Sequence, residues 1–284
     1  MILLDFSNII IGSIMIAHKT SNQDAASEDF IRHLVLNSIR NYRVKYRAKY
    51  GEIVICTDFL SSWRKEQFKY YKANRKKVRE KQEQKGGMDW KELFSVINQI
   101  IKEIDEYFPY KVISVPHAEG DDVIAVLSKN IEENSIIISS DKDFSQLQKF
   151  KYLKQYSPIQ KKMVITSDPY KYLKEHIIRG DKGDGIPNIL SADDCILEGV
   201  RQKPISKKKI ATWMNEPDMA HVDPNWKRNQ RLIDFDYIPK DIADAILYEY
   251  KKTKITNGMP GRFTSYFVKN KLNYLMEHKG DFIL

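Results

Sequence analysis

Apolar residues along this chain fall into short runs separated by longer stretches of helical periodicity. Strands are read at 2–5, 53–57, 111–115 and 135–140, the third closed by Pro116. Helices are read at about 30–49, 89–107 and 121–130, with a short one at 142–148. In the second of these, Leu93, Val96, Ile97, Ile100, Ile101 and Ile104 recur at spacings of three and four, the signature of an amphipathic helix. This βαβα order predicts an α/β fold with a doubly wound, mainly parallel sheet and right-handed crossovers. After about residue 167 the character changes: Asp168-Pro169 reads as a helix start, 180–188 as a loop, and 206–215, 240–252 and 263–279 as helices. A boundary is therefore expected there, separating an α/β domain over 1–167 from a helical domain over 168–284.

Three of the strand runs end in an aspartate: Ile2-Leu3-Leu4-Asp5, Ile53-Val54-Ile55-Cys56-Thr57-Asp58 and Ser135-Ile136-Ile137-Ile138-Ser139-Ser140-Asp141. Parallel sheets bind ligands in the crevice outside the carboxyl ends of their strands, so these acids should meet there. Glu119, Asp121, Asp122, Asp143, Asp181 and Asp184 follow in nearby motifs, making nine candidates. So many anions cannot stay ionised together unpaired. Hard cations such as Mg²⁺, with Mn²⁺ as a substitute, take oxygen ligands, and two clusters of acids suit two ions. A two-ion site generates a hydroxide and stabilises the attacking and leaving oxygens at phosphorus, which is phosphodiester hydrolysis. That chemistry needs no protein nucleophile, in keeping with six scattered histidines. Each acid alone has a plainer reading as a helix cap or turn former. Adjacent Asp121 and Asp122 are about 100° apart around a helix, and one of them caps it in that reading; ligation is weighed above capping for both. Asp181 and Asp184 share a face only if their turn is helical.

Composition narrows the class. With 284 residues and 42% hydrophobic content the chain can bury a sizeable core, and no apolar run approaches the roughly 20 residues that span a bilayer. The first residues lack the basic region of a signal peptide, so a cytoplasmic protein is expected. Cys56 and Cys195 form no CxxC, which argues against zinc and against a disulfide framework. Residues 61–87 hold ten Lys or Arg against three Glu, a local +7 of the whole chain's +9. A concentrated basic element beside an acid cluster fits a polyanionic substrate and bound cations.

Glu119-Gly120-Asp121-Asp122-Val123-Ile124-Ala125 and Ser139-Ser140-Asp141-Lys142-Asp143-Phe144-Ser145-Gln146-Leu147 resemble two acidic motifs of the 5′ nuclease, or flap endonuclease, superfamily. Arg179-Gly180-Asp181-Lys182-Gly183-Asp184-Gly185-Ile186-Pro187 is similar to its third, Asp5 and Asp58 take the places of its strand-end aspartates, and Leu232-Ile233-Asp234-Phe235-Asp236-Tyr237-Ile238-Pro239 looks like the phage subgroup. The resemblance covers nearly the whole chain. It implies a PIN-like core, a helical arch at about 59–88 and a C-terminal helix-turn-helix domain that grips duplex. It also implies Mg²⁺-dependent 5′ to 3′ exonuclease, flap endonuclease and RNase H activities that hydrolyse RNA primers and 5′ DNA flaps, leaving 5′-phosphate products, during phage DNA replication. By motif position Asp5, Asp58, Glu119, Asp121, Asp122, Asp141, Asp143, Asp181 and Asp184 inherit metal-binding roles, some through water.

Within the arch, Lys72 and Arg75 match the family's Tyr-Lys-x-x-Arg pattern and are expected at the scissile phosphate, where a cation offsets developing charge. Arg64, Tyr71, Lys76, Lys77 and Arg79 are expected to contact nucleic acid, as are Lys207, Lys208 and Lys209 in the helical domain. Trp63, Tyr70 and Tyr71 either stack on bases or hold the arch to the core; Gly86-Gly87 reads as the arch's flexible far end. After Pro187 the chain departs from the family: Asn188-Ile189-Leu190-Ser191-Ala192-Asp193-Asp194 replaces a Gly-x-Gly turn, which leaves a monovalent-ion phosphate clamp an open question at this point of the sequence. Expected partners are DNA and RNA–DNA duplexes with 5′ ends or flaps and a phage single-stranded-DNA-binding protein, with a monomer and no membrane association. A PIN-type endoribonuclease and a non-catalytic structure-specific DNA-binding protein are the alternatives.

Overall fold

A computed structural model describes residues 1–20, 27–84, 88–216, 219, 224–253 and 260–283. Six strands form one sheet: β1 (Ile2–Asp5), β2 (Ile53–Cys56), β3 (Lys111–Ile113), β4 (Ser135–Ile138), β5 (Leu153–Ser157) and β6 (Lys162–Val164), in the order β3-β2-β1-β4-β5-β6. The first five are parallel and β6 is an antiparallel edge. Central strands buried on both faces read as continuous apolar runs, which is why β1, β2 and β4 are visible in the sequence. β5 and β6 are not. In β5 exposed Lys154 and buried Gln155 interrupt the run, and β6 is a three-residue edge.

Pairing Ile2 with Ile53 and Ile136 sets which residues face each way. Ile2, Leu4, Ile55 and Ile138 pack under α1 (Phe6–Thr20), α2 (Glu28–Tyr50) and α5 (Trp90–Tyr107). Leu3, Val54, Cys56 and Ile137 pack under α6 (Gly120–Asn130), the 3₁₀ turn Asp143–Lys149 and α10 (Lys240–Lys252). The apolar stretch from Ile9 onward is thus a core helix, α1, that follows β1 directly.

Between β2 and α5 lie α3 (Trp63–Gln67) and α4 (Ala73–Glu83). Gly86 and Gly87, expected as the arch's far end, lie outside the described residues. Phe68 and Tyr71 from this segment join a separate apolar cluster with Ile177 and Ile178 of α7 (Pro169–Arg179), Ile210 of α8 (Lys207–Asn215) and Trp226 of α9 (Pro224–Ile233). Asp168 caps α7 through Lys171 N, with Pro169 in its first turn, as the sequence reads. Later helices pack back on the sheet domain: α10 on α6, and α11 (Pro260–Lys269), α12 (Asn273–Glu277) and α13 (Gly280–Ile283) around Phe108. The helix expected over 263–279 is broken where Lys271 turns left-handed, φ 52°. Cys56 and Cys195 are both buried free thiols.

Candidate metal centre and active site

Strand geometry delivers the first acids. Asp5 ends β1, is almost fully buried, and accepts hydrogen bonds from Ser139 Oγ at 2.6 Å and Asn8 N at 3.2 Å. It therefore caps α1 and faces the crevice at once. Asp58, just beyond β2, accepts from Gly120 N at 2.8 Å, tying the end of β2 to the start of α6. Gly120 eases that approach, because a Cβ there would stand 3.3 Å from Cys56 O, tighter than ordinary contact. Asp141 follows β4 and accepts from Asp143 N at 2.9 Å.

These acids crowd one another. Burial pushes Asp5 up to about 7, with repulsion from Asp58 and Asp141 adding to it. Burial, then Asp5 and Asp141, drive Asp121 well above the usual carboxylate range. Burial and the neighbouring Asp141 raise Asp143 to about 8, and burial raises Asp141 itself. Among the described residues no ion pair reaches Asp5, Asp58, Asp121 or Asp141. Asp5 is buried, Asp121 and Asp141 are half-buried and Asp58 is exposed beside them; grouped oxygen donors without an ion pair are what hard divalent ions fit, so these four suit them on chemical grounds.

The third acidic loop closes the other side. His176, on α7, sits between two carboxylates: Nδ1 lies 3.4 Å from Asp143 Oδ1 and Nε2 3.3 Å from Asp181 Oδ2. Burial works against a charged imidazole, yet the bond to Asp181 and the charges of Asp143 and Asp181 raise His176 above its ordinary value. Although burial also works against ionised Asp181, His176 and the Asp184 amide hold it below the usual range. His176 was not legible in the sequence, where no spacing links it to Asp143; its position five residues before Asp181 on a helix was the one available signal.

Protein cations meet the remaining acids. Lys72 Nζ donates to Glu119 Oε1 at 2.6 Å and lies 3.7 Å from Asp184 Oδ2, while Arg75 pairs with Asp184 Oδ1. Lys72 is left-handed, φ 55°, and its amide donates to Asp184 O at 2.7 Å. Non-glycine residues in this region carry local strain and are held by their surroundings. Gly185, φ 74°, permits the same contact, since a Cβ there would meet Tyr70 O at 2.7 Å. Lys72 and Arg75 thus reach the acid cluster from the arch.

Three expectations are corrected. Arg64, read as a nucleic-acid contact, is only 3% exposed; its guanidinium bonds Asp122, Glu119 and Leu232 O. Tyr71 is equally buried, its hydroxyl donating to Glu119 at 2.7 Å, and is not available to stack on a base. Asp122, read as a metal ligand, is fully buried: Oδ2 accepts from Trp63 Nε1, Arg64 and Glu119 N, the last closing a capping box with Glu119 at the start of α6. The acidic neighbours explain the first two, because basic and aromatic residues that look solvent-facing in sequence find buried carboxylates in the fold. Trp63 likewise holds the arch to the core. Although burial raises Glu119, Lys72 and Arg64 hold it below the ordinary carboxylate range.

Elsewhere in the basic segment, Lys76 and Lys77 are exposed, the latter donating to Leu197 O, and Arg79 lies over the rings of Trp90 and Phe94. Lys207, Lys208 and Lys209 are exposed at the start of α8. Asp193 and Asp194 cap no α-helix; Asp193 pairs with Arg228 instead. Replacing Arg64 with Met should destabilise the fold by about 3–5 kcal/mol, the usual cost of leaving a buried carboxylate unpaired, as read by chemical denaturation.

A parallel sheet with a shared carboxylate cluster, flanked by a basic arch, defines a class, and the comparisons agree with it. The chain belongs to the 5′–3′ exonuclease family: a family model described as "5′-3′ exonuclease, N-terminal resolvase-like domain" matches residues 1–175, and one described as "T4 RNase H, C terminal" matches residues 169–282. Ribonuclease H of Enterobacteria phage T4 is 34% identical over 297 residues, covering 99% of this chain and 95% of that protein. A 5′-3′ exonuclease of Buchnera aphidicola is 34% identical over 117 residues, 40% of this chain and 34% of that protein. In structure, the phage T5 D15 flap endonuclease, solved as a pseudo-enzyme-product complex with DNA and metal ions, matches with TM-score 0.60 at 17% identity, covering 88% of this chain and 99% of that one. Phage T5 D15 protein co-crystallised with metal ions matches with TM-score 0.58 at 17% identity, covering 90% of this chain and 99% of that one. No described helix is long and apolar enough to cross a membrane.

Proposed function

We propose that this chain is a divalent-metal-dependent 5′ to 3′ exonuclease and flap endonuclease with RNase H activity, removing RNA primers and 5′ DNA flaps during phage DNA replication. The observation that carries the reading is the group of carboxylates without an ion pair, buried Asp5, half-buried Asp121 and Asp141 and exposed Asp58, with Lys72 and Arg75 at its rim. Two Mg²⁺ ions, when bound, would supply a hydroxide and charge stabilisation at phosphorus. Asp5, Asp58, Asp121 and Asp141 would hold one, and Asp141, Asp143, Asp181 and Asp184 would help hold the other. Lys72 and Arg75 would leave Glu119 and Asp184 to meet the scissile phosphate and offset charge on its oxygens. Lys76 and Lys77 would attract the single strand, while Lys207, Lys208 and Lys209 would contact duplex from the region 168–284. The protein would act as a monomer in the host cytoplasm, with its C-terminal helices open to a phage single-stranded-DNA-binding protein.

A 5′-labelled flap and a 5′-labelled RNA-primed duplex test this. Short 5′-labelled products in Mg²⁺ or Mn²⁺, absent with chelator, are expected; intact substrates under both metals would sink the reading.

A further inference from the structure

One group beside the acid cluster is not a carboxylate. Single donor atoms from Asp143, His176 and Asp181 lie within 4.8 Å of one another. The two imidazole nitrogens are unlike. Nε2 has hydrogen-bond geometry toward Asp181 Oδ2, whereas Nδ1 is buried without a hydrogen-bond partner, although Asp143 Oδ1 is only 3.4 Å away. A neutral imidazole with its proton on Nε2, directed at a carboxylate, leaves a lone pair on Nδ1. Histidines that bind metals are oriented in this way, one nitrogen donating to a carboxylate and the other facing the ion. A cleft of about 670 Å³, lined in part by Asp141, Asp143, His176 and Asp181, leads to the group.

We propose that His176 Nδ1 is a direct ligand in the second half of the metal centre, beside Asp143, so that this half prefers a first-row transition-metal ion to Mg²⁺. The inference rests on the nuclease reading for the presence of a second cation. Carboxylate and water donors suit Mg²⁺ and Mn²⁺, while an imidazole nitrogen moves preference toward Co²⁺ and Zn²⁺. The rival account makes His176 a protonated cation bridging Asp143 and Asp181. The two accounts differ in one atom: Nδ1 carries a lone pair in the first and a proton in the second.

Co²⁺ added to the full chain separates them. Proton NMR should show a solvent-exchangeable imidazole N–H signal shifted far downfield, and His176→Gln should abolish it. In calorimetry His176→Gln should weaken Co²⁺ binding tenfold or more while changing Mg²⁺ binding less than threefold. His176→Lys keeps a positive charge without a lone pair and should behave like His176→Gln. Wild-type protein that binds Co²⁺ without the shifted signal, or His176→Lys that binds Co²⁺ as wild type does, would overturn the proposal. The wild-type spectrum decides even if a variant fails to fold, as judged by circular dichroism. Imidazole-bound Co²⁺ without cleavage of flaps or primers would defeat only the nuclease reading; cleavage without the shifted signal would defeat only this one.

Discussion

Asp121→Asn is expected to reduce turnover on a 5′ flap by roughly 10²- to 10³-fold, the scale of losing one well-placed electrostatic group, while leaving DNA binding intact. It should also stabilise the metal-free protein. Asp121 packs near Asp5 and Asp141, whose charges add to burial in raising its carboxyl, and Asp141 raises Asp5 as well. With Asp5 pushed up to about 7 and Asp143 to about 8, against 3.8 when free, the fold binds protons that the unfolded chain has released. Their contribution to stability is full below about pH 4 and is lost as the pH rises through 7 to 8. Metal-free wild type should therefore show a thermal midpoint that falls from pH 5 to pH 8, and Asp121→Asn should fall less. Mg²⁺ or Mn²⁺ should restore the wild type at pH 8, because a cation replaces the missing protons. A flat pH profile in wild type, or unfolding of the variant by circular dichroism, would remove the basis for this assignment.

Lys72→Ala should lower single-turnover cleavage by about 10²- to 10³-fold, equivalent to roughly 3–4 kcal/mol of transition-state stabilisation. Arg75→Ala should cost less, since its side chain is 44% exposed and paired at the rim. Both effects should appear mainly in the cleavage rate; metal-free flap affinity should change little, because the phosphate contact replaces the ion pairs that Lys72 and Arg75 make with Glu119 and Asp184. A purely electrostatic attraction for DNA would do the opposite, and its effect would disappear at high salt. Single-turnover cleavage across a salt series separates the two.

Much of this was readable in the chain. β1, β2 and β4 announce themselves as apolar runs because both faces are covered, and their terminal aspartates fall where parallel sheets open a crevice. β5 escaped because an edge-side strand tolerates Lys154 and buries Gln155 as a hydrogen-bonding residue, its amide reaching Ser139 O and Asp141 O. Arg64, Tyr71 and Asp122 were misread for one shared reason. Their pairing spans 48 to 58 residues of sequence, and a local pattern of basic and aromatic residues cannot reveal that buried acids await them. His176 was missed likewise, because its partner Asp143 comes from the turn after β4 while it rides on α7.

Lys72 has a second role, in the link between the basic segment and the acids. Its ammonium lies between Glu119 and Asp184, and its backbone amide clasps the loop that carries Asp184. The cation is therefore held by the protein's own acids. A phosphate that takes Lys72 would expose negative charge for a metal ion to neutralise, so each ligand should raise the affinity of the other, and by linkage to the same extent. Calorimetric Mg²⁺ titrations with and without flap DNA should show this mutual tightening, and Lys72→Ala should abolish it.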